Sequence, residues 1–289
     1  MIERRRRLRT DVVSVKIRNH RTEQHMQRDD YTAANRQAWD EAAPIHRERK
    51  FAELIAQFSE PGHSCLDPIE TAILRRIGID GKDVAQLCCN NGRELLSVKN
   101  LGAGRCVGFD ISEGFIEQAR ELAAAGGIDC SFVATDIYAI PHDYDESFDL
   151  VTITIGALGW MPDLTEFLAV AAHLLKPGGW LFIYEQHPIL DMFEPGDTAD
   201  PLALRYSYFQ TEPFRNEYGL DYWGKARYPS KPMYWFHHKL SDVIAGCLAN
   251  GLALEAFEEY PHDISVFTPI AESPIRPPMS YSLVAWKEG

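Results

Sequence analysis

One segment of the chain has the make-up of a ligand-binding turn. Val84-Ala85-Gln86-Leu87-Cys88-Cys89-Asn90-Asn91-Gly92-Arg93-Glu94 runs from an apolar strand through small or left-handed-tolerant residues into a helix. Such a turn lets a ligand approach backbone amides at a helix N-terminus. About one helix later, Cys106-Val107-Gly108-Phe109-Asp110 ends a second apolar run in a carboxylate, placed to accept hydrogen bonds from two ribose hydroxyls. A third run ends at Thr135-Asp136-Ile137, where an acid followed by an aliphatic residue suits the exocyclic amine and the face of an adenine. Each acid taken alone has a plainer alternative, as a helix-capping or loop residue. The combination is what points to a nucleoside-containing ligand.

These residues need a scaffold that ends successive strands along one edge. Between residues 82 and 185 short apolar runs alternate with helical ones, the pattern of a parallel sheet covered on both faces. Strands are predicted over 84–89, 106–110, 130–134, 148–155 and 180–185, with two more at 252–259 and 281–287. Helices are expected from about Asn91 to Asn100, from Ser112 through Ala125, over 164–175 and over 240–250. Gly126-Gly127, the Lys176-Pro177-Gly178-Gly179 turn and Gly251 stop three of them. The expected fold is α/β, a doubly wound, seven-stranded, mostly parallel sheet with helices on both faces. In such sheets ligands sit beyond the carboxyl ends of the strands, where all three motifs fall.

On either side of this region the pattern changes. Residues 31–58 read as one or two helices with Trp39, Ala42, Ala43 and Ile45 on an apolar face, and 67–77 as another. Residues 187–236 form an insertion rich in aromatics, among them Tyr208, Phe214, Tyr222, Trp223, Tyr234, Trp235 and Phe236. Long connections of this kind are more often functional caps than idle loops. For any single ring, burial of a small antiparallel sheet is the plainer reading. The resulting organisation is a basic, disordered tail over 1–29 and one domain over 30–289, with a helical lid at 30–80 and the cap at 187–236.

Bulk properties narrow the partners. The chain of 289 residues carries a formal charge of −13, unevenly placed, because residues 1–30 hold nine Lys/Arg against five Asp/Glu. An acidic body repels phosphate backbones, so nucleic acid is a poor substrate candidate and a small molecule a better one. No apolar run approaches the ~20 residues of a membrane span, and no apolar stretch follows the arginines at 4–7, so a cytoplasmic, membrane-free protein is expected. The six cysteines lack zinc-ligand spacing, and three of the segments that hold them read as buried strands, so neither metal nor disulfide is implied. Oligomeric state is not legible.

The motifs together resemble those of class I S-adenosylmethionine-dependent methyltransferases, from roughly residue 31 to 289. The likeness is carried by 87–92, by 107–111, by 135–137, by Phe148-Asp149-Leu150-Val151 with Ile155-Gly156-Ala157-Leu158-Gly159-Trp160, and by Leu174-Leu175-Lys176-Pro177-Gly178-Gly179. The resemblance implies S-adenosylmethionine as cofactor, S-adenosylhomocysteine as product and transfer to a nitrogen or oxygen of a small-molecule acceptor. It places the methionine part over Cys88, Asn90 and Gly92, the ribose on Asp110, and the adenine beside Ile111, Asp136 and Ile137. Ile155 and Gly156 fall on the sulfonium side, and Tyr31, Asn35 and Trp39 belong to a lid, although a plain amphipathic helix explains their spacing equally well. The chain departs from the family where Gln86 replaces a common acid and Cys88 and Asn90 replace glycines. A nicotinamide site is less well supported, because its G-x-G-x-x-G turn is reduced here to Gly92.

Methyl transfer is in-line displacement at carbon, so positioning matters most and a base is optional. His187, following the fifth strand, is the best-placed candidate base, with orientation of the following turn as its structural alternative. His46, His237 and His238 rank behind it. A non-catalytic protein that binds the cofactor or a partner on the same fold is the rival class.

Overall fold

A computed structural model describes residues 26–194, 199–221 and 228–289. Most of the basic tail and the aromatics Tyr222 and Trp223 lie outside the described residues.

The chain enters through α1 (Arg28–His46), a five-residue π turn (Arg47–Phe51) and α2 (Ala52–Phe58), followed by α3 (Pro68–Ile77). Local chemistry sets the bounds of α3. The Asp67 carboxylate accepts the Ile69 and Glu70 amides, Pro68 opens the first turn, and Gly78 in the left-handed region closes the last. The sheet then builds through β1 (Val84–Leu87), α4 (Arg93–Asn100), β2 (Cys106–Asp110), α5 (Glu113–Gly126), β3 (Ser131–Ala134), β4 (Phe148–Ile153), α6 (Leu164–Leu174) and β5 (Leu175–Gln186). The insertion holds an antiparallel pair, β6 (Phe214–Tyr218) and β7 (Pro229–Trp235), before α7 (Leu240–Ala249), β8 (Leu252–Tyr260) and β9 (Ser280–Lys287) finish the main sheet.

The seven strands run in the order β3-β2-β1-β4-β5-β9-β8, and β9 pairs antiparallel with both neighbours while the other pairings are parallel. This is the expected doubly wound sheet, and the strand order reverses between β1 and β4, where a ligand crevice forms in folds of this type. Alternation along the strands splits the core in two. Ala85, Leu87, Phe109 and Ile153 pack with α6 and α7 on one face, whereas Val84, Leu150 and Phe182 pack with α3, α4 and α5 on the other. Full burial of each such aliphatic or aromatic side chain stabilises by roughly 1.5–3 kcal/mol, so this two-sided core supports the sheet edge.

The differences from the sequence reading are local. β1 stops at Leu87 rather than Cys89 because Cys88 takes φ 56°, which leaves the strand region, and α4 starts at Arg93 because Gly92 takes φ 73°. β5 begins at Leu175, paired with Phe148, and residues 176–179 bulge out before Trp180 pairs with Leu150. The expected turn is therefore an excursion within one strand. Among the described residues no helix is long and apolar enough to cross a membrane.

Candidate functional site

The turn after β1 is built from alternating left-handed residues: Cys88 (φ 56°), Asn90 (φ 49°) and Gly92 (φ 73°). Two of these are not glycine, and a side chain in that region carries a cost of order 1–2 kcal/mol per residue, less for Asn. Fixed hydrogen bonds hold the turn open. The Cys89 amide donates to the Phe109 carbonyl (3.0 Å), the Gly92 amide to the Cys89 carbonyl (2.8 Å) and the Asn91 amide to Asn90 Oδ1 (2.8 Å).

Asp110 ends β2 against this turn. Its Oδ2 accepts the Asn90 amide (2.8 Å) and its Oδ1 the Ser112 amide (3.0 Å). Burial pushes its carboxyl up to about 6, against the pull of those amides. Each oxygen has further lone-pair capacity for a hydroxyl donor. Helix α1 is tied to the same loop, since Ser112 Oγ donates to Asp40 (2.6 Å) and Arg36 Nε to the Ile111 carbonyl (3.1 Å).

Asp136 ends the next connection with Oδ1 accepting the Tyr138 amide (3.1 Å), so the capping role considered for it is present. Ile137 is packed into the core at 3% exposure and Ile111 is half-buried at the surface of the site. Gly92 also faces inward. A Cβ there would lie 2.5 Å from the Phe132 ring and 2.9 Å from the Ala119 methyl, so its contribution to a ligand is confined to its backbone. The Cys88 thiol is held well above its ordinary pKa by burial and by Asp110, Asp136 and Glu185, which keeps it neutral and unsuited to nucleophilic chemistry.

Beyond β4, Ile155 leads into Gly156 (φ 80°), where a Cβ would meet nothing within 4 Å. Glu185, at the end of β5, organises this turn. It is 3% exposed, its Oε1 accepts the Gly156 (2.6 Å) and Gln186 (2.7 Å) amides, and its Oε2 accepts that of Leu158 (3.2 Å). Burial pushes its carboxyl up to about 7. Sequence reasoning overlooked Glu185. The available signal was an acid inside an otherwise buried apolar strand, which needs a stated partner.

His187 directly follows β5, as expected, and both of its ring nitrogens are engaged. It is 5% exposed, Nδ1 accepts the Ile189 amide (3.1 Å), and Nε2 faces Glu259 Oε1 (2.9 Å). Accepting at Nδ1 puts the proton of the neutral ring on Nε2, so the lone pair a base would use is already engaged. Burial lowers its pKa, opposed by Glu259. The geometry is that of a clamp between the turn after β5 and β8, the structural alternative. The second-rank histidines also join segments: His237 meets Asp191 (3.0 Å) and the Tyr208 carbonyl (2.8 Å), His238 the Met161 carbonyl (2.8 Å), and His46 the Leu220 carbonyl.

Tyr31 and Trp39 project from α1 into aromatic contacts. Tyr31 meets Tyr234 and Phe236 edge-on at 4.9 and 5.1 Å, and Trp39 meets Trp160 and Phe115 at 5.2 and 5.7 Å. Trp160 in turn meets Trp235 of β7 at 5.3 Å, and the Phe236 amide donates to the Gly159 carbonyl (2.6 Å). The Trp235 indole lies so close over Gly159 that no Cβ would fit there. These contacts bring α1, the β6–β7 pair and the turn after β4 together as one aromatic wall.

Residues 84–179 match the model of a family described as a methyltransferase domain. A ubiquinone biosynthesis O-methyltransferase from Thiobacillus denitrificans is 35% identical over 144 residues, covering 44% of this chain and 60% of the relative. The match therefore spans about three fifths of that protein's length. The structure of an S-adenosylmethionine-dependent methyltransferase from Mesorhizobium loti is similar with a TM-score of 0.57 at 21% identity, over 75% of this chain and 96% of that one. The cyclase SpnF is similar with a TM-score of 0.55 at 16% identity, over 89% and 96%. At such identities the structural likeness is one of fold, and the cyclase illustrates that this fold is not tied to one reaction.

Proposed function

From the premise that residues 84–179 are a methyltransferase domain on the class I S-adenosylmethionine-dependent fold, we propose that the chain transfers a methyl group from S-adenosylmethionine to a nitrogen or oxygen of a small-molecule acceptor. The observation that carries this reading is Asp110. Its two oxygens are fixed by the Asn90 and Ser112 amides at the end of β2, beside a turn whose backbone is held open in the left-handed region. A carboxylate so held, with lone-pair capacity on both oxygens, fits a vicinal diol. Asp136 and Ile111 flank it for the base, and the open side of Gly156 fits a bulky thioether or sulfonium. The donor set thus fits an adenosyl cofactor.

When bound, S-adenosylmethionine supplies an electrophilic methyl on sulfur. The protein's part is positioning and exclusion of water. Glu185 fixes the turn beside Gly156 through backbone amides, and Trp39, Trp160 and Trp235 pack edge-on against one another where that turn meets α1 and β7. The acidic body, at −13 overall, supports a small neutral or cationic acceptor over a nucleic acid. The test is formation of S-adenosylhomocysteine by the purified chain against a pool of small hydroxyl and amine acceptors. Turnover with one member supports the proposal; tight cofactor binding without turnover across the pool favours the non-catalytic reading.

A further inference from the structure

A buried polar cluster lies beneath the same turn, on the face of the sheet covered by α3 and α4. Gln86 of β1, 1% exposed, donates from Nε2 to Glu94 Oε2 (3.0 Å) and to Thr154 Oγ1 (2.9 Å), and Thr154 donates to the same Glu94 oxygen (2.5 Å). Arg93 reaches the other oxygen of Glu94, Oε1, at 3.4 Å. With its nitrogen committed, Gln86 leaves Oε1 buried and without a hydrogen-bond partner among the described residues. Glu70 of α3, 4% exposed, shows the same imbalance. Its Oε2 accepts the Asp67 amide (3.2 Å) while Oε1 is buried and has no hydrogen-bond partner among the described residues, and burial, with Glu94 second, pushes its carboxyl up to about 8.

With its carboxyl so raised Glu70 holds a proton at neutral pH, which leaves Gln86 Oε1 as the unmatched acceptor beside the Glu94 carboxylate, and a buried acceptor without a donor is costly. The group that would satisfy them is positively charged and donates only, which is the description of a primary ammonium. An adenosyl cofactor of the kind proposed above has one such group, at the end of its amino-acid chain remote from the adenosine. In the sequence the turn from Cys88 to Gly92 separates strand residue Gln86 from Glu94 in the first turn of α4. We propose that Glu94, with Gln86 Oε1, binds the α-ammonium of the cofactor, so that α4 supplies the carboxylate that strand position 86 lacks.

This inference rests on the cofactor reading, and two calorimetric titrants separate them: S-adenosylhomocysteine, and 5′-methylthioadenosine, which keeps the adenosine thioether without the amino acid. Glu94→Gln is expected to weaken S-adenosylhomocysteine about tenfold or more, the scale of a lost charge-assisted pair, and to leave methylthioadenosine unchanged. Adding Gln86→Glu to that variant is expected to recover most of the loss. If Glu94→Gln does not fold, Gln86→Leu provides the same test, again with loss confined to S-adenosylhomocysteine. Equal weakening of both titrants, or of neither, overturns the assignment of Glu94. Wild-type protein that binds methylthioadenosine as tightly as S-adenosylhomocysteine also overturns it while sparing the adenosine site. Wild-type protein that binds neither overturns the cofactor reading itself and the assignment of Glu94 with it.

Discussion

Asn35 grips the backbone of Tyr234 from both sides: its Oδ1 accepts the Tyr234 amide (2.8 Å) and its Nδ2 donates to the Tyr234 carbonyl (3.0 Å). The side chain is 3% exposed and also approaches the Trp160 carbonyl (3.4 Å). One residue of α1 therefore holds β7 against the turn after β4. Asn35→Ala leaves those peptide groups unmatched, and each buried orphan costs about 1–3 kcal/mol. The expected outcome is a lower melting temperature and faster amide exchange across residues 229–236, with exchange in β1 and β2 little changed.

Gly92 is under two constraints at once. Its φ of 73° disfavours a side chain, and a Cβ would meet Phe132 at 2.5 Å. Gly92→Ala should cost roughly 2–5 kcal/mol, combining left-handed strain with overpacking. Urea unfolding measures this as a shift in midpoint at unchanged slope.

Burial pushes the Glu185 carboxyl up to about 7, against 4.5 for the free side chain, and outweighs the pull of the backbone amides around it. The folded protein then holds a proton that the unfolded chain has released, so this group's contribution falls as pH rises from about 4.5 to about 7. The full change is on the order of 3 kcal/mol. Glu185→Gln should flatten the decline in stability between pH 5 and pH 8. An identical slope in the variant would assign the decline to other groups, Asp110 among them, whose carboxyl is also raised, to about 6.

His187 is expected to behave as a clamp. Removing its bonds to Ile189 and Glu259 by His187→Ala should lower stability by about 1–3 kcal/mol while the pH profile of turnover keeps its shape. Loss of one limb of that profile would return the residue to the role of base.

The parts of this molecule that were legible in advance have local causes. β1, β2 and β4 are apolar runs ended by turn residues, and Asp110 ends its strand because the pattern of Cys106-Val107-Gly108-Phe109 stops there. The seven-stranded, mostly parallel sheet followed from such runs, whereas the antiparallel insertion of β9 between β5 and β8 is set by strand pairing distant in sequence. What was not legible depends on partners distant in sequence. His187 meets Glu259 across 72 residues, Asn35 meets Tyr234 across 199, and neither pair leaves a mark in the local pattern. Glu185 was read as a strand end because its role comes from three amides of neighbouring segments. At residues 176–179 Pro177 and two glycines signal a turn whether or not the strand resumes in register, so local pattern cannot distinguish a bulge from a boundary.

The central claim is that Asp110 and the turn after β1 hold an adenosyl group, and calorimetric titration of S-adenosylhomocysteine into wild-type protein and Asp110→Ala tests it most directly. The account predicts saturable one-to-one binding by the wild type and none detectable in a variant whose circular dichroism is native. Near-equal affinity in the two proteins would contradict it.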